Sequence, residues 1–131
     1  MPIEYRVDHQ RQVVFAEAHG PLTSEDFFDY QADLGSHPEL VAYNELVDMT
    51  DAVLSPTEPV RLDDLAVLSA RTDPPAYVSR LAIVAPGDLT FGMARRYQTY
   101  RELTPGSTKA VGVFRTRQEA LQWLGLSDEQ A

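Results

Sequence analysis

Two helix-start signals, near opposite ends of the chain, most constrain how it can fold. Thr23–Ser24–Glu25–Asp26 and Thr116–Arg117–Gln118–Glu119 each place a capping hydroxyl three residues before a carboxylate. Apolar extended segments alternate with amphipathic helical segments along the rest of the chain. This alternation predicts an α/β fold, because strand–helix–strand units connect parallel neighbours in one sheet by right-handed crossovers.

The predicted order of elements is ββαβαβαβα, and the predicted sheet is mixed, mostly parallel and five-stranded. The first two strands are joined by a short turn, so they are expected to form an antiparallel hairpin at one edge. The predicted strands are 3–8, 12–18, 44–49, 80–85 and 110–114, and the predicted helices are 24–35, 58–70, 89–103 and 117–124. Gly20–Pro21 is expected to end the second strand, and residues 50–59 are expected to form a loop.

Composition excludes several classes of protein. Cysteine is absent, so disulfides, thiolate metal sites and cysteine nucleophiles are excluded. With 131 residues, 44% of them hydrophobic, a single domain (1–131) with a loose tail at 126–131 is expected. Eleven Lys and Arg against twenty Asp and Glu give a net charge of −9, which disfavours nucleic acid as a partner. Neither a signal peptide nor a membrane span is indicated, so a cytoplasmic location is expected.

Several stretches, taken in order, carry a resemblance to a known family. They are Gly20–Pro21–Leu22–Thr23 with Glu25–Asp26, Leu46–Val47–Asp48–Met49–Thr50, Arg80–Leu81–Ala82–Ile83–Val84, Phe91–Gly92–Met93–Ala94–Arg95, Val113–Phe114–Arg115–Thr116, Glu119–Ala120–Leu121 and Trp123–Leu124. They resemble the SpoIIAA-like family, whose members are mostly bacterial and uncharacterised. That family is related to the STAS domains of anti-sigma-factor antagonists, and it shares an architecture with lipid-carrier domains of the Sec14 (CRAL-TRIO) kind. The resemblance implies a β–α superhelix without enzymatic activity.

The resemblance also indicates a candidate for phosphorylation. STAS regulators carry a phosphorylatable serine in an Asp-Ser-Ser-Gly-like motif at the start of the second helix. Ser55 is the nearest positional counterpart in this chain, but the motif itself is absent. A phosphorylation switch at Ser55 therefore depends on position alone.

Ligands of mostly parallel sheets bind outside the carboxyl ends of the strands. A ligand site is therefore sought at that edge of the sheet and at the start of the third helix. The candidate ligand-binding residues there are His19, Asp48, Thr50, Asp88, Phe91, Arg95 and Tyr97. Arg95 lies early in a helix, where an arginine suits a phosphate or carboxylate. The alternative is structural, with Asp88 capping the third helix and Tyr97 in the core.

No residue is assigned a catalytic, metal-binding or cofactor-binding role. His9, His19 and His37 lack the sequence neighbours of a metal pair or of a nucleophile–base pair. A hydrolase or isomerase that used Asp48 and His19 would need the two side chains within hydrogen-bond reach.

Two functions are therefore favoured. The first is a non-catalytic regulatory or protein-interaction domain, expected to be a homodimer because its helices would cover mainly one face of the sheet. The second is a carrier or sensor of a small lipid-like or anionic ligand. Gly92, within the third helix, is relevant to both functions, because a glycine there lowers the stability of the helix by about 1 kcal/mol relative to alanine. A close contact with a neighbour or a ligand would account for it.

Overall fold

The computed structural model describes residues 2–55, 57–75 and 79–127. The strands are β1 (Ile3–Asp8), β2 (Val13–Leu22), β3 (Asn44–Leu54), β4 (Arg80–Val84) and β5 (Ala110–Phe114). The helices are α1 (Ser24–Gly35), α2 (Leu62–Ala70), α3 (Asp88–Leu103) and α4 (Arg117–Trp123), and a short 3-10 turn covers Pro38–Leu40.

The order of strands in the sheet follows the chain, β1-β2-β3-β4-β5. β1 pairs antiparallel with β2, and every other neighbouring pair is parallel. The predicted ββαβαβαβα order and the mixed, mostly parallel sheet are confirmed.

Successive side chains of β2 point to opposite faces of the sheet, so the apolar core is divided between the two faces. Val14, Ala16 and Ala18 belong to the larger apolar cluster, together with buried residues of α1, α2 and α3. Val13 and Phe15 belong to a smaller cluster with buried residues of α4. Three helices therefore cover one face, and α4 covers part of the other.

Charged side chains cover the second face near Phe15. The guanidinium groups of Arg6, Arg11 and Arg117 lie 4.4, 5.5 and 6.0 Å from the centre of the Phe15 ring. The ring is only 3% exposed, because arginine stems pack over apolar surface while their charged ends stay in water. This face therefore does not require a second subunit for cover, although the oligomeric state itself stays a prediction.

Both predicted helix caps are present. Thr23 accepts a hydrogen bond from the backbone N–H of Asp26, whose carboxylate accepts one from the backbone N–H of Thr23, a complete capping box. Thr116 caps α4 in the same position by accepting from the N–H of Glu119 at 3.2 Å.

Two strand ends were predicted wrongly. β2 continues through Gly20 and Pro21 to Leu22, and β3 continues through residues 50–54, where a loop was expected. After a register shift, residues 19–22 pair with residues 51–54 beyond the ladders that β1 and β4 form, as a two-stranded β2–β3 ribbon. At the base of the ribbon, the backbone N–H of His19 still donates to the carbonyl of Pro2 at 2.7 Å. Gly20 adopts a φ of +67°, which glycine tolerates, so β2 can continue past it. The local sequence of β2 does not show that β3 continues beside it and provides its hydrogen-bond partners.

Two helix starts also differ from the predictions. α2 begins at Leu62 rather than at residue 58, because Ser55 accepts backbone hydrogen bonds from Thr57 and Glu58 and holds them in a turn. Pro56, in the predicted loop, lies outside the described residues. Gly87 is the N-cap of α3, so Asp88 is the first helical residue and not the cap.

Among the residues that the structure describes, none of the helices combines the length and the hydropathy that crossing a membrane requires.

The first residue of the predicted tail is held by the fold. The backbone N–H of Leu126 donates to the carbonyl of Leu121 at 2.8 Å, and the Leu126 side chain packs against the smaller core cluster. Residues 128–131 of the predicted tail lie outside the described residues.

Candidate functional site

Three of the predicted ligand-binding residues lie together. His19, Asp48 and Thr50 border one shallow depression with Glu17 and Asp51, beside the β2–β3 ribbon. The ring nitrogens of His19 lie 3.6 Å from Glu17 and 3.8 Å from Asp51, and the side chain is about half exposed. The depression is therefore open and rich in carboxylates, which suits neither an anion nor an apolar ligand.

The carboxylate of Asp48 is occupied by structural contacts. Its Oδ1 accepts from the backbone N–H of Thr50 at 2.9 Å and from the Thr50 hydroxyl, and its Oδ2 accepts from Arg117 at 2.9 Å. Asp48 thereby joins β3 to the start of α4. Among the described residues, the carboxylates paired with His19 are Glu17 and Asp51, so a His19–Asp48 catalytic pair finds no support.

Asp88 and Phe91 form a second, separate cluster. The guanidinium of Arg115 donates to Asp88 at 2.7 Å and to the carbonyl of Pro86 at 3.1 Å, and it lies 3.9 Å from the centre of the Phe91 ring. Arg115 therefore fastens the end of β5 to the β4–α3 loop. Arg95, one turn further along α3, is exposed, and anion binding there stays a prediction.

Tyr97 lies elsewhere, in the core, where it borders an apolar cavity between α1–α3 and the sheet. The cavity has a volume of about 60 Å³. Its lining residues are Ile3, Phe27, Tyr30, Gln31, Glu45, Val47, Met49, Leu62, Leu65, Leu81, Ile83, Met93, Ala94 and Tyr97. Tyr97 is thus the predicted site residue that reaches this cavity.

A buried ion pair lies beside the cavity, and sequence reasoning missed it. Lys109 Nζ lies 2.6 Å from Glu45 Oε1 and also donates to the carbonyl of Tyr43 at 3.1 Å. Tyr30 donates its hydroxyl hydrogen to Glu45 Oε2 at 3.1 Å. Burial, and then the charge of Glu45, raise the pKa of Tyr30 well above its usual range. A glutamate directly before the apolar residues Leu46 and Val47 of β3 was the available signal.

A second buried network surrounds Tyr97. Its hydroxyl donates to Ser69 Oγ at 2.9 Å and accepts from Arg101 at 2.9 Å. Arg101, only 3% exposed, also donates to Ser107 at 2.8 Å and to Asp73 at 2.5 Å. Burial raises the pKa of Tyr97, and the Arg101 charge partly offsets that rise. The network joins α2, α3 and the segment before β5.

One solved structure is similar over nearly the whole chain. It is the crystal structure of an uncharacterized protein from the DUF3478 family of Shewanella loihica PV-4, described as having a SpoIIAA-like fold. It aligns with a TM-score of 0.58 and 25% identity, over 93% of each chain. The chain has a SpoIIAA-like fold. No family model matches the sequence, and no curated protein matches it.

The SpoIIAA-like fold confirms the resemblance that the sequence stretches suggested. In this structure Ser55 lies after β3 and before α2. The hydroxyl oxygen of Ser55 accepts hydrogen bonds from the backbone N–H groups of Thr57 at 3.3 Å and of Glu58 at 3.1 Å. Phosphorylation of Ser55 stays a prediction.

Proposed function

We propose that this protein is a non-catalytic binding domain, which holds a small and mainly apolar ligand between its three-helix layer and the sheet. The observation that carries the proposal is the cavity of about 60 Å³. The cavity is lined mainly by aliphatic, methionine and aromatic side chains from three helices and three strands, and Gln31 and Glu45 are the other lining residues. This location, under the helices, differs from the strand-end site expected from the sequence.

The size and polarity of the cavity both favour a ligand over trapped water. Protein interiors are packed as densely as organic crystals, so a void of this size is a departure that calls for a cause. Apolar cavities stay dry, and one of about 150 Å³ binds benzene or xenon. The smaller volume here suits a compact ligand of a few heavy atoms, unless the helices move apart.

Xenon tests the proposal directly, since it binds apolar cavities without polar contacts. Under xenon pressure, the backbone amide NMR signals of Leu65 and Ala94, which line the cavity, are expected to shift. Those of Leu121, a buried residue of α4 on the opposite face of the sheet, are expected to stay in place. Leu65→Ala enlarges the cavity and should add binding of benzene. An absence of shifts in both the natural protein and Leu65→Ala would contradict the proposal.

A second candidate function is protein interaction, in a regulatory role and including self-association. The observation that favours it is the β2–β3 ribbon, which extends beyond the pairing of β1 and β4. Pro21 and Val53 are register partners at its tip, and both are exposed, Val53 by 56%. Strands without neighbours on their outer sides offer backbone groups for pairing with another chain.

Light scattering after size-exclusion chromatography tests self-association. A dimer that becomes a monomer in Val53→Asp would support contact through the ribbon. Val67→Asp, at a similarly exposed valine on α2, serves as the matched control. A monomer at every concentration would exclude the homodimer and leave only a different protein as the partner.

A further inference from the structure

We propose that the β2–β3 ribbon binds a basic, extended segment of another protein, which pairs as an added strand with the outer edge of β3. The inference rests on the second candidate function, protein interaction, and names the class of partner. It follows from two observations. The two outer edges of the ribbon differ in the backbone donors that they offer, and the side chains around the ribbon are mainly acidic.

The outer edge of β2 is closed to pairing. The backbone N–H of His19 already donates to the carbonyl of Pro2 at 2.7 Å. Pro21, two residues further along the same strand, has no N–H, and a proline on an edge strand opposes pairing with another chain. At these two positions, the edge of β2 therefore offers no donor to a new strand.

The outer edge of β3 is open. The ladder between β4 and β3 ends at Asp48, so among the described strands none lies beside residues 51–54 on that side. The backbone N–H groups of a strand point alternately to its two sides. The N–H of Thr50 donates to Asp48 Oδ1 at 2.9 Å and so is not used in the ladder with β2. The N–H groups of Ala52 and Leu54, at alternate positions, point to the same outer side and can bind an added strand.

Two exposed side chains of β3 indicate which residues such a strand would carry. Asp51 and Val53 are two positions apart, so they lie on the same face of the ribbon. The Asp51 side chain is 72% exposed, and Val53 is 56% exposed. Opposite charges and β-branched side chains attract each other across neighbouring strands. A basic residue beside Asp51 and an apolar residue beside Val53 would therefore complement this edge.

Charge favours a different protein over a second copy of this chain. Glu17 and Asp51 border the depression at the base of the ribbon. Glu25 and Glu58 border another depression where β2 and β3 end, and Arg61 is the one cationic residue that lines it. A second copy would bring a further net charge of −9 to these carboxylates. Like charges oppose association, whereas a basic segment is attracted, so the basic segment is the better occupant.

Two octapeptides test the inference by NMR titration of the natural protein. The first has the order Lys-Thr-Val-Thr-Lys-Thr-Val-Thr, which places lysine and valine on one face of a strand, and the second has glutamate in place of lysine. We expect the lysine peptide to shift the amide signals of Ala52 and Leu54 and to leave that of Leu121, on α4, in place. The glutamate peptide should bind at least about tenfold more weakly. Equal binding of the two peptides would overturn the inference.

Hydrogen exchange distinguishes strand pairing from attraction by charge alone. A backbone hydrogen bond to the bound lysine peptide should slow exchange of the Ala52 amide by about tenfold near saturation. Ala52→Pro removes this donor on the outer side of the strand, where proline is tolerated, and should abolish binding of the lysine peptide. Unchanged Ala52 exchange in the natural protein with the lysine peptide bound would contradict the inference, whether or not the proline variant folds.

Removal of carboxylates tests the contribution of charge. Glu17→Gln combined with Asp51→Asn should weaken binding of the lysine peptide by about tenfold, the equivalent of two exposed ion pairs. The matched control is Glu39→Gln combined with Glu102→Gln. These two exposed carboxylates precede β3 and β5, at the opposite end of the sheet from the ribbon, and their removal should change the affinity by less than about twofold. Equal losses in the two double variants would contradict the inference.

Light scattering separates failure of the inference from failure of the second candidate function. If the lysine peptide does not bind but Val53→Asp converts a dimer into a monomer, protein interaction stands and a second copy occupies the ribbon, so the inference is wrong. If neither peptide binds and the protein is a monomer, interaction through the ribbon is wrong and the inference falls with it.

Discussion

Lys109 Nζ lies 2.6 Å from Glu45 Oε1, and the two residues are 8% and 7% exposed. The pair joins β3 to the residue before β5, although 64 positions separate the two residues in the chain. Lys109 also donates to the carbonyl of Tyr43, and Tyr30 donates to the second Glu45 oxygen, so both charges are hydrogen-bonded as well as paired. Buried charges are tolerated under these conditions, because partners replace the lost water.

Removing one charge of this pair should cost much more than removing both. Lys109→Met leaves a buried carboxylate without its cation, and we expect the free energy of unfolding to fall by about 3–5 kcal/mol. Adding Glu45→Met should restore most of that loss, since apolar side chains of similar length then replace the pair. Urea denaturation measures both variants. Arg115→Met serves as a control, since its partner Asp88 is fully solvated and the expected loss is at most about 1 kcal/mol.

Two glycines should respond in opposite directions to alanine. A Cβ at Gly112 would lie 2.8 Å from the Phe114 ring and 3.1 Å from Trp123, so Gly112→Ala should destabilise the protein by about 1–3 kcal/mol. A Cβ at Gly92 would meet nothing within 4 Å, so Gly92→Ala should stabilise α3 by about 1 kcal/mol. The close contact with a neighbouring part of the protein that was expected at Gly92 is therefore wrong, and contact with a ligand there stays a prediction. Thermal unfolding of the two variants would show the difference, and a stabilised Gly112→Ala would contradict the packing described for β5.

A single substitution should measure how much the first helix cap contributes to the free energy of unfolding. Thr23→Ala removes the oxygen that accepts from the Asp26 N–H, and we expect a loss of about 1 kcal/mol in the free energy of unfolding. Thr99→Ala is the matched control, because Thr99 is exposed within α3, where its hydroxyl donates to the carbonyl of Arg95. Its effect should stay within about 0.5 kcal/mol, as is usual for surface substitutions. Equal losses in the two variants would show that the capping box adds nothing.

Stability should fall in alkali, starting near pH 10. Burial and the Asp33 carboxylate, which accepts from the Tyr5 hydroxyl, raise the pKa of Tyr5 to about 12, and burial with Glu45 raises the pKa of Tyr30 well above its usual range. Because a raised pKa favours the protonated folded state, this stabilisation is complete below the unfolded value near 10. It is lost as the pH rises through the folded values.

Urea denaturation at pH 8 to 12, with the tyrosinate absorbance followed in parallel, would measure this loss. Tyr5→Phe removes one of the tyrosines with a raised pKa and should make the decline between pH 10 and 12 shallower. An unchanged decline would show that the Tyr5 hydroxyl titrates normally in the folded protein.

The local sequence was sufficient for the elements whose signals lie within one turn or one strand. The hydroxyl of Thr23 and the carboxylate of Asp26 are three residues apart, so the capping box could be predicted without knowledge of the rest of the fold. The same holds for β1, where polar and apolar residues alternate, and for the parallel order that follows from short crossovers.

Contacts between distant segments could only be decided by the tertiary structure. The β2–β3 ribbon exists because residues 51–54 find partners in residues 19–22, and neither stretch looks like a strand alone. Likewise Glu45, Tyr30 and Lys109 carry no local signal of a common site, and the cavity beside them is formed by helices that meet only after folding. The sequence by itself determined element type and order, which depend on local hydrogen bonding and periodicity. Burial, pairing and donor direction depend on which surfaces meet, and only the folded chain decided them.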